Sequence, residues 1–152
     1  MAGGFSAGAA GVNTMKKVLV GGCFDLLHFG HTEFLNAAKS YGDYLVVALE
    51  SDENVRRMKG AARPIHTQEQ RRAMLTALKS VDEILMLPTM TTDAEYAKLV
   101  TDVHPGVIAV TEGDPMLEKK RQHADSVGAT VLVIPKIHSP STSQLAKLLD
   151  LE

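Results

Sequence analysis

The pattern that most restricts the fold is an alternation of short apolar runs, rich in β-branched residues, with stretches whose apolar residues recur at helical spacing. The runs are Val18-Leu19-Val20, Tyr44 to Leu49, Glu83 to Leu87, Val107 to Val110 and Thr130 to Ile134. Between the first two, His31 to Lys39 places Phe34, Leu35 and Ala38 on one helical face, and Gln68 to Leu78 does the same with Met74, Leu75 and Leu78. Thr67, with Gln70 three residues on, has the form of a capping box. Further helices are expected over Ala94 to Val100, capped by Asp93 or Thr92, near Pro115 to Ser126, and from about Ser141 to Leu149. Strands alternating with helices bury a parallel sheet between two helical layers. The expectation is therefore one α/β domain, doubly wound, with a five-stranded parallel sheet and helices on both faces.

Composition adds bounds. The 152 residues, 45% of them hydrophobic, suffice for one compact core. A formal net charge of −2 gives no general attraction to nucleic acid or to an anionic membrane. The single cysteine cannot close an internal disulfide, and no apolar run approaches the roughly 20 residues that span a bilayer, so a reducing cytoplasm is expected. Residues 1–14 are small and glycine-rich and read as a disordered tail, leaving 15–152 as the domain.

In such sheets ligands bind beyond the carboxyl ends of the strands, where the strand order reverses. The segment Gly21-Gly22-Cys23-Phe24-Asp25-Leu26-Leu27-His28-Phe29-Gly30-His31 follows the first run and leads into a helix. Unpaired backbone N–H groups at a helix start carry partial positive charge and favour phosphate. Gly21 and Gly22 are expected to let the backbone turn tightly and approach a ligand, Gly30 removes a side chain between the histidines, and Asp25 can hydrogen-bond within the loop. Histidines three apart can share a metal ion, but Cys23 is the only cysteine and no second pair completes a tetrahedral site. Ser51 to Ile65, read as a loop carrying Lys59, follows the second run, and Thr111-Glu112-Gly113-Asp114 follows the fourth. Asp114 there suits a helix cap with Pro115 at the first helical position, or a nucleotide contact.

The phrase Gly22-Cys23-Phe24-Asp25-Leu26-Leu27-His28-Phe29-Gly30-His31 resembles the signature of the HxGH nucleotidyltransferase superfamily, in its cytidylyltransferase-like branch. The likeness continues through Gly42-Asp43, Ser51-Asp52, Lys59-Gly60-Ala61-Ala62-Arg63-Pro64-Ile65 and Glu69-Gln70-Arg71-Arg72, and covers nearly everything from Met15 onward. Within that branch the chain is similar to ADP-heptose synthase adenylyltransferase domains, glycerol-3-phosphate cytidylyltransferases and archaeal FAD synthases. The resemblance implies a Rossmann-like domain that moves a nucleoside monophosphate from ATP or CTP to a small phosphate monoester, releasing pyrophosphate without a covalent intermediate. Adenylyl transfer to a sugar phosphate, as in lipopolysaccharide-core precursor synthesis, is the first expectation, with FMN or glycerol phosphate as alternative acceptors.

It also implies roles. His28, His31 and Lys59 are expected to be catalytic, donating to phosphate oxygens, with imidazole pKa values near neutrality allowing extra charge. Gly22, Cys23, Phe24, Asp25, Gly30, Arg63, Arg71, Thr111, Gly113, Asp114, Ser141, Thr142 and Ser143 are expected to bind nucleotide or phosphate. Arg72 is read as a surface partner of a carboxylate. Mg²⁺ is expected to arrive with the substrate, with no protein ligands of its own. The chain departs from the family phrases at Glu112 and Pro115, and at Gln144 and Ala146, where Lys136 or Lys147 would have to replace a basic residue. Family members are often dimers, and Met86, Met90 and Tyr96 are candidates to face a partner. A non-catalytic nucleotide-binding regulatory module is the alternative of another class. A nicotinamide-dependent oxidoreductase would need a G-x-G-x-x-G loop, which the sequence lacks.

Overall fold

A computed structural model of the chain describes residues 15–137 and 142–150. In chain order the elements are β1 (Lys17–Gly22), α1 (Phe29–Lys39), β2 (Tyr44–Leu49), α2 (Asp52–Lys59), α3 (Gln68–Thr76), β3 (Glu83–Met86), α4 (Asp93–Val103), β4 (Val107–Thr111), α5 (Leu117–Val127), β5 (Thr130–Ile134) and α6 (Thr142–Leu148). The five strands form one parallel sheet in the order β3-β2-β1-β4-β5. The chain winds outward from β1 to β3, then returns past β1 to β4 and β5. The order reverses at β1 and β4.

Successive strand residues point to opposite faces, and both faces are covered. Val18, Val20, Leu45, Val47 and Leu49 bury one face against Leu35 and Ala38 of α1 and Leu75 of α3. Leu19, Val46, Ala48, Ile108 and Val110 bury the other against Val100 and Val103 of α4 and Ala124 of α5. The helices start where their caps dictate. Thr67 and Gln70 close the expected capping box on α3, and Thr92 with Glu95 closes another on α4. Among the described residues no helix is long and apolar enough to cross a membrane.

Three local expectations are corrected. Gly21 and Gly22 are not in the turn: they extend β1 and sit beside Ala48 and Leu49 of β2. Ser51 to Ile65 is not one loop, since α2 occupies its first half, capped by Ser51, whose Oγ accepts from the Asn54 N–H. The helix expected at Pro115 begins at Leu117, and its cap residue Met116 makes no side-chain cap bond. Met86, Met90 and Tyr96 are half-buried, Met86 against one core cluster and Met90 and Tyr96 against the other.

Register shapes the site. β1 pairs with β2 over its whole length, from Lys17 opposite Tyr44 to Gly22 opposite Leu49. Against β4 it pairs only at Val18 with Val107 and Leu19 with Ile108. Beyond Leu19 the two strands part, so a crevice opens between their carboxyl ends at the switch point of the sheet.

Candidate active site

The chain leaves β1 through a turn that its side chains enforce. Phe24 and Leu26 both hold left-handed backbone, with φ of 49° and 55°. A non-glycine residue there is disfavoured, so surrounding contacts must hold it. Phe24 is buried and its ring lies over Gly22, where an added Cβ would come within 2.9 Å of it. The same ring meets the His31 imidazole in a tilted contact, centroids 5.5 Å apart. Gly22 thus clears space for Phe24, and Phe24 backs His31. The Phe24 ring is committed to these contacts.

Asp25 is buried and already satisfied. Its Oδ2 accepts from Arg63 Nε at 2.8 Å and the Ile65 N–H at 2.7 Å, and its Oδ1 accepts from the His66 N–H at 3.0 Å. Burial pushes this carboxyl up, but those donors and the Arg63 charge outweigh it and hold it below the usual carboxylate range. Arg71 is fully buried: Nε donates to the His66 carbonyl, one terminal nitrogen to the Cys23 carbonyl, and the other to Asp52 at 2.7 Å. Arg63 and Arg71 are therefore ties between the β1–α1 turn and the segment before α3, and not the phosphate forks that their charge suggests. Arg72 lies outside, paired with Glu69 at 3.3 Å on the exposed helix face, as expected.

What these ties hold is a pair of histidines at the start of α1. His28 is the cap residue, and its Nδ1 accepts from the Gly30 N–H at 3.0 Å. His31 answers it: its Nδ1 accepts from the His28 N–H at 3.2 Å. The rings stack with centroids 4.0 Å apart, inclined by 30°. Since each Nδ1 is an acceptor, each neutral ring carries its proton on Nε2. The site therefore offers two N–H donors in fixed tautomers. Burial lowers the His28 pKa. Burial, then the nearby His28 and Lys59 charges, bring His31 down to about 4. The expected near-neutral pKa values are corrected accordingly: His31 is a neutral donor at pH 7. Gly30 spends its own N–H on His28, so it serves the cap.

Lys59 is exposed at the end of α2, followed by Gly60 with φ of 108°. Its charge reaches both His31 and Cys23. Cys23 is largely enclosed, and burial pushes its thiol pKa up, so it stays protonated. Across the crevice Thr111 ends β4 and Gly113 turns the chain with φ of 84°. Asp114 accepts from the Met116 N–H at 2.7 Å and from Lys120 Nζ at 2.6 Å, holding the approach to α5. Ser143 is exposed in the first turn of α6, whereas Ser141 and the side chain of Thr142 lie outside the described residues. Among the described residues no three His, Cys, Asp or Glu converge on a point where they could hold a metal ion.

Beside the histidine loop, on the other side of the β1 end, lies a cavity of about 490 Å³ between the sheet, α4 and α5. Leu19, Ala48, Leu87, Val100, Ile108 and Ala109 give it a mainly apolar wall, and Asp93, Lys119, Lys120 and His123 also line it. Gly22 and Cys23 form its junction with the histidine loop, and Asp114 lines its far side. Its polar inner wall holds a residue absent from the expected set, Glu50, the first residue after β2. A polar residue directly after a buried strand run is the available signal, and in the sequence the adjacent Ser51-Asp52 overshadows it.

Comparison with known proteins agrees with this geometry. Residues 19–144 match the model of the cytidylyltransferase-like family. The bifunctional protein HldE of Coxiella burnetii (strain RSA 493 / Nine Mile phase I) is 38% identical over 133 residues, which are 86% of this chain and 27% of that protein. The chain thus spans about a quarter of the length of such bifunctional relatives. An FAD synthase of Thermococcus onnurineus is 36% identical over 138 residues, 88% of each chain. Among solved structures, the lipopolysaccharide core biosynthesis protein of Thermoplasma volcanium superposes with a TM-score of 0.65 at 27% identity, over 81% of this chain and 97% of that one. A pantothenate synthetase of Thermus thermophilus shares the fold, with a TM-score of 0.60 at 15% identity, over 82% of this chain and 57% of that one.

Proposed function

Because the chain belongs to the cytidylyltransferase-like family, we propose that it transfers a nucleoside monophosphate from ATP or CTP to a small phosphate monoester, releasing pyrophosphate. The observation that carries this reading is the histidine pair. Two Nε2–H donors, locked in one tautomer by bonds at Nδ1, sit at the helix start where a triphosphate is favoured. A phosphate monoester is already an anionic nucleophile, so the protein has no base to supply. Its work is to align the acceptor phosphate with the α-phosphorus and to stabilise charge that grows on the phosphate oxygens.

In this reading the substrate enters as the magnesium complex of the triphosphate, with the metal held by phosphate oxygens and water. His28 and His31 donate to oxygens of the reacting phosphates as neutral groups, ready without reorganisation. Lys59, on the exposed end of α2, supplies the mobile positive charge that follows the leaving pyrophosphate. Thr111, Gly113 and Ser143 remain proposed contacts to the nucleotide. The bond from acceptor oxygen to α-phosphorus forms as the α,β-bridging bond breaks, and no protein atom is covalently modified.

For the acceptor, a sugar phosphate is supported by the HldE relatives, and FMN by the FAD synthase that matches over 88% of both chains. The mainly apolar wall of the cavity specifically favours the second. The test is direct: the chain is incubated with each triphosphate, Mg²⁺ and a panel of phosphate monoesters, and pyrophosphate is measured. Release that requires both a triphosphate and an acceptor supports the reading. A regulatory nucleotide-binding module would bind the triphosphate and release none.

A further inference from the structure

Glu50 is placed as few acids are. Its backbone N–H donates to the Gly22 carbonyl at 3.1 Å, which pins it beside the end of β1. The residue is only 9% exposed. Its Oε1 accepts from Asn54 Nδ2 at 3.0 Å, and the Tyr96 hydroxyl lies 3.1 Å and 3.0 Å from the two carboxylate oxygens. Burial, then the facing Glu50 charge, push the Tyr96 phenol up, so it remains a donor.

These partners are neutral and bring two protons to a group with about four acceptor positions. Enclosed acids are ordinarily matched by a cation or a full set of donors. Here the carboxylate keeps acceptor capacity and faces an apolar wall of Leu19, Ala48, Leu87, Val100 and Ile108, while Asp93, Lys119, Lys120 and His123 also line the cavity. A tie between α2 and α4 alone would be served equally well by a neutral glutamine. An acid is warranted where a ligand brings the missing donor.

We propose that Glu50 selects the acceptor: the cavity receives the flat, largely apolar body of a phosphate monoester, and the carboxylate accepts a hydrogen bond from an N–H or O–H group on it. This rests on the nucleotidyl-transfer reading and narrows its substrate. The volume of about 490 Å³ falls in the range of small-molecule sites and exceeds what glycerol phosphate fills. The wall surface is mainly apolar, so the hydroxyls of a polyhydroxylated sugar that face it lose water and gain no partner there. The junction at Gly22 and Cys23 lets the phosphate end of such an acceptor reach the histidine side, opposite the leaving pyrophosphate.

The experiment uses FMN as probe, followed by the quenching of its fluorescence on binding without nucleotide, and by pyrophosphate release with triphosphate present. The expected parent behaviour is FMN binding, and at least tenfold higher kcat/KM for FMN than for heptose phosphate or glycerol 3-phosphate. Glu50→Gln, which keeps the shape and an oxygen for Tyr96, should raise both the FMN Kd and KM about tenfold while leaving the triphosphate KM and the thermal midpoint unchanged. Glu50→Asp, which withdraws the charge by one methylene, should fall between. The proposal is overturned if both variants bind FMN like the parent, or if the sugar phosphates are preferred. A rise in triphosphate KM alone overturns it too, because the cavity would then house the nucleoside. Loss of FMN binding together with a lowered melting point in both variants would leave only a structural tie. If no acceptor releases pyrophosphate, the transfer reading fails, while the Kd ratio still decides the role of Glu50.

Discussion

The two nitrogens of His31 do different jobs, and substitutions that imitate one nitrogen at a time can separate them. Nδ1 accepts the His28 N–H at 3.2 Å and so helps cap α1. In the proposed mechanism Nε2 carries the proton offered to phosphate. In His31→Asn the side-chain oxygen can sit near the Nδ1 position and keep the cap, but nothing occupies the Nε2 position. In His31→Gln the amide N–H₂ reaches the Nε2 position and the cap acceptor is lost. Loss of one preorganised donor to a developing oxyanion costs about 10²–10³ in turnover, or roughly 2.7–4 kcal/mol. Loss of one helix cap costs about 1 kcal/mol of stability. The expected result is a crossing: His31→Asn unfolds in urea near the parent midpoint but releases pyrophosphate about 10²–10³ more slowly. His31→Gln is the less stable of the two, by about 1 kcal/mol, and the more active. Single-turnover pyrophosphate release and urea denaturation, run on the same preparations, read both axes. Near-parental turnover in His31→Asn would refute the assignment of the proton to Nε2 and make His31 a capping residue only.

Other perturbations test the supports. Asp25→Ala removes the acceptor shared by Arg63 Nε and two backbone N–H groups, and removing one partner of a buried pair costs about 3–5 kcal/mol; a urea midpoint shift worth less than about 1 kcal/mol would contradict the clamp. Because the Asp25 pKa is lower in the fold than its ordinary 3.8, its contribution is present above that value and is lost as pH falls below it through the folded pKa, so the parent should lose stability in that acid range and Asp25→Ala should not show this loss. For His31 the fold keeps the ring neutral, so the unfolded chain binds the proton first, and stability should fall as pH drops from 6.5 to about 4; NMR should show its ring titrating near 4 with Nε2 protonated. Lys59→Ala should slow release with every acceptor alike, and an effect confined to one acceptor would move Lys59 into acceptor recognition.

The strands are readable in the sequence because buried parallel strands have a short, uniform apolar signature, and helices carry local caps such as Thr67 with Gln70. Helix α2 is harder to see. Its sequence, from Asp52 to Lys59, is charged almost throughout and buries only Asn54 and Val55, so no apolar stripe announces it. Its remaining signals are the Ser51 cap and the acidic-to-basic run along its length. Arg63 and Arg71 mislead for a related reason. Arginine is seldom fully buried, and nothing local to either residue reveals that its acceptors, Asp25 and the Cys23 carbonyl, stand 38 and 48 residues away. Gly22 has the look of a turn residue, and only the position of the Phe24 ring shows that it is there for clearance.

The asymmetry between a legible reaction and a hidden acceptor follows from how β1 divides the site. In the proposed mechanism the histidine donors lie on one side, in one contiguous segment, Gly22 to His31, whose residues contact one another through bonds between near neighbours in sequence. Local interactions of this kind leave a local pattern. The cavity on the other side draws Leu19 from β1, Glu50 from the end of β2, Tyr96 and Val100 from α4 and Ile108 from β4, elements set apart by the βα winding of the chain. Their apolar members are the same residues that any buried strand would show. The cavity's enclosed acid, Glu50, acquires its meaning only when Tyr96, 46 residues later, places a hydroxyl on it. If the histidine donors sit on one contiguous loop and acceptor recognition is distributed over several elements, as proposed, single replacements such as one at position 50 alter the substrate without disturbing the histidine pair, and that separability is what the contrast between Glu50→Gln and His31→Asn measures.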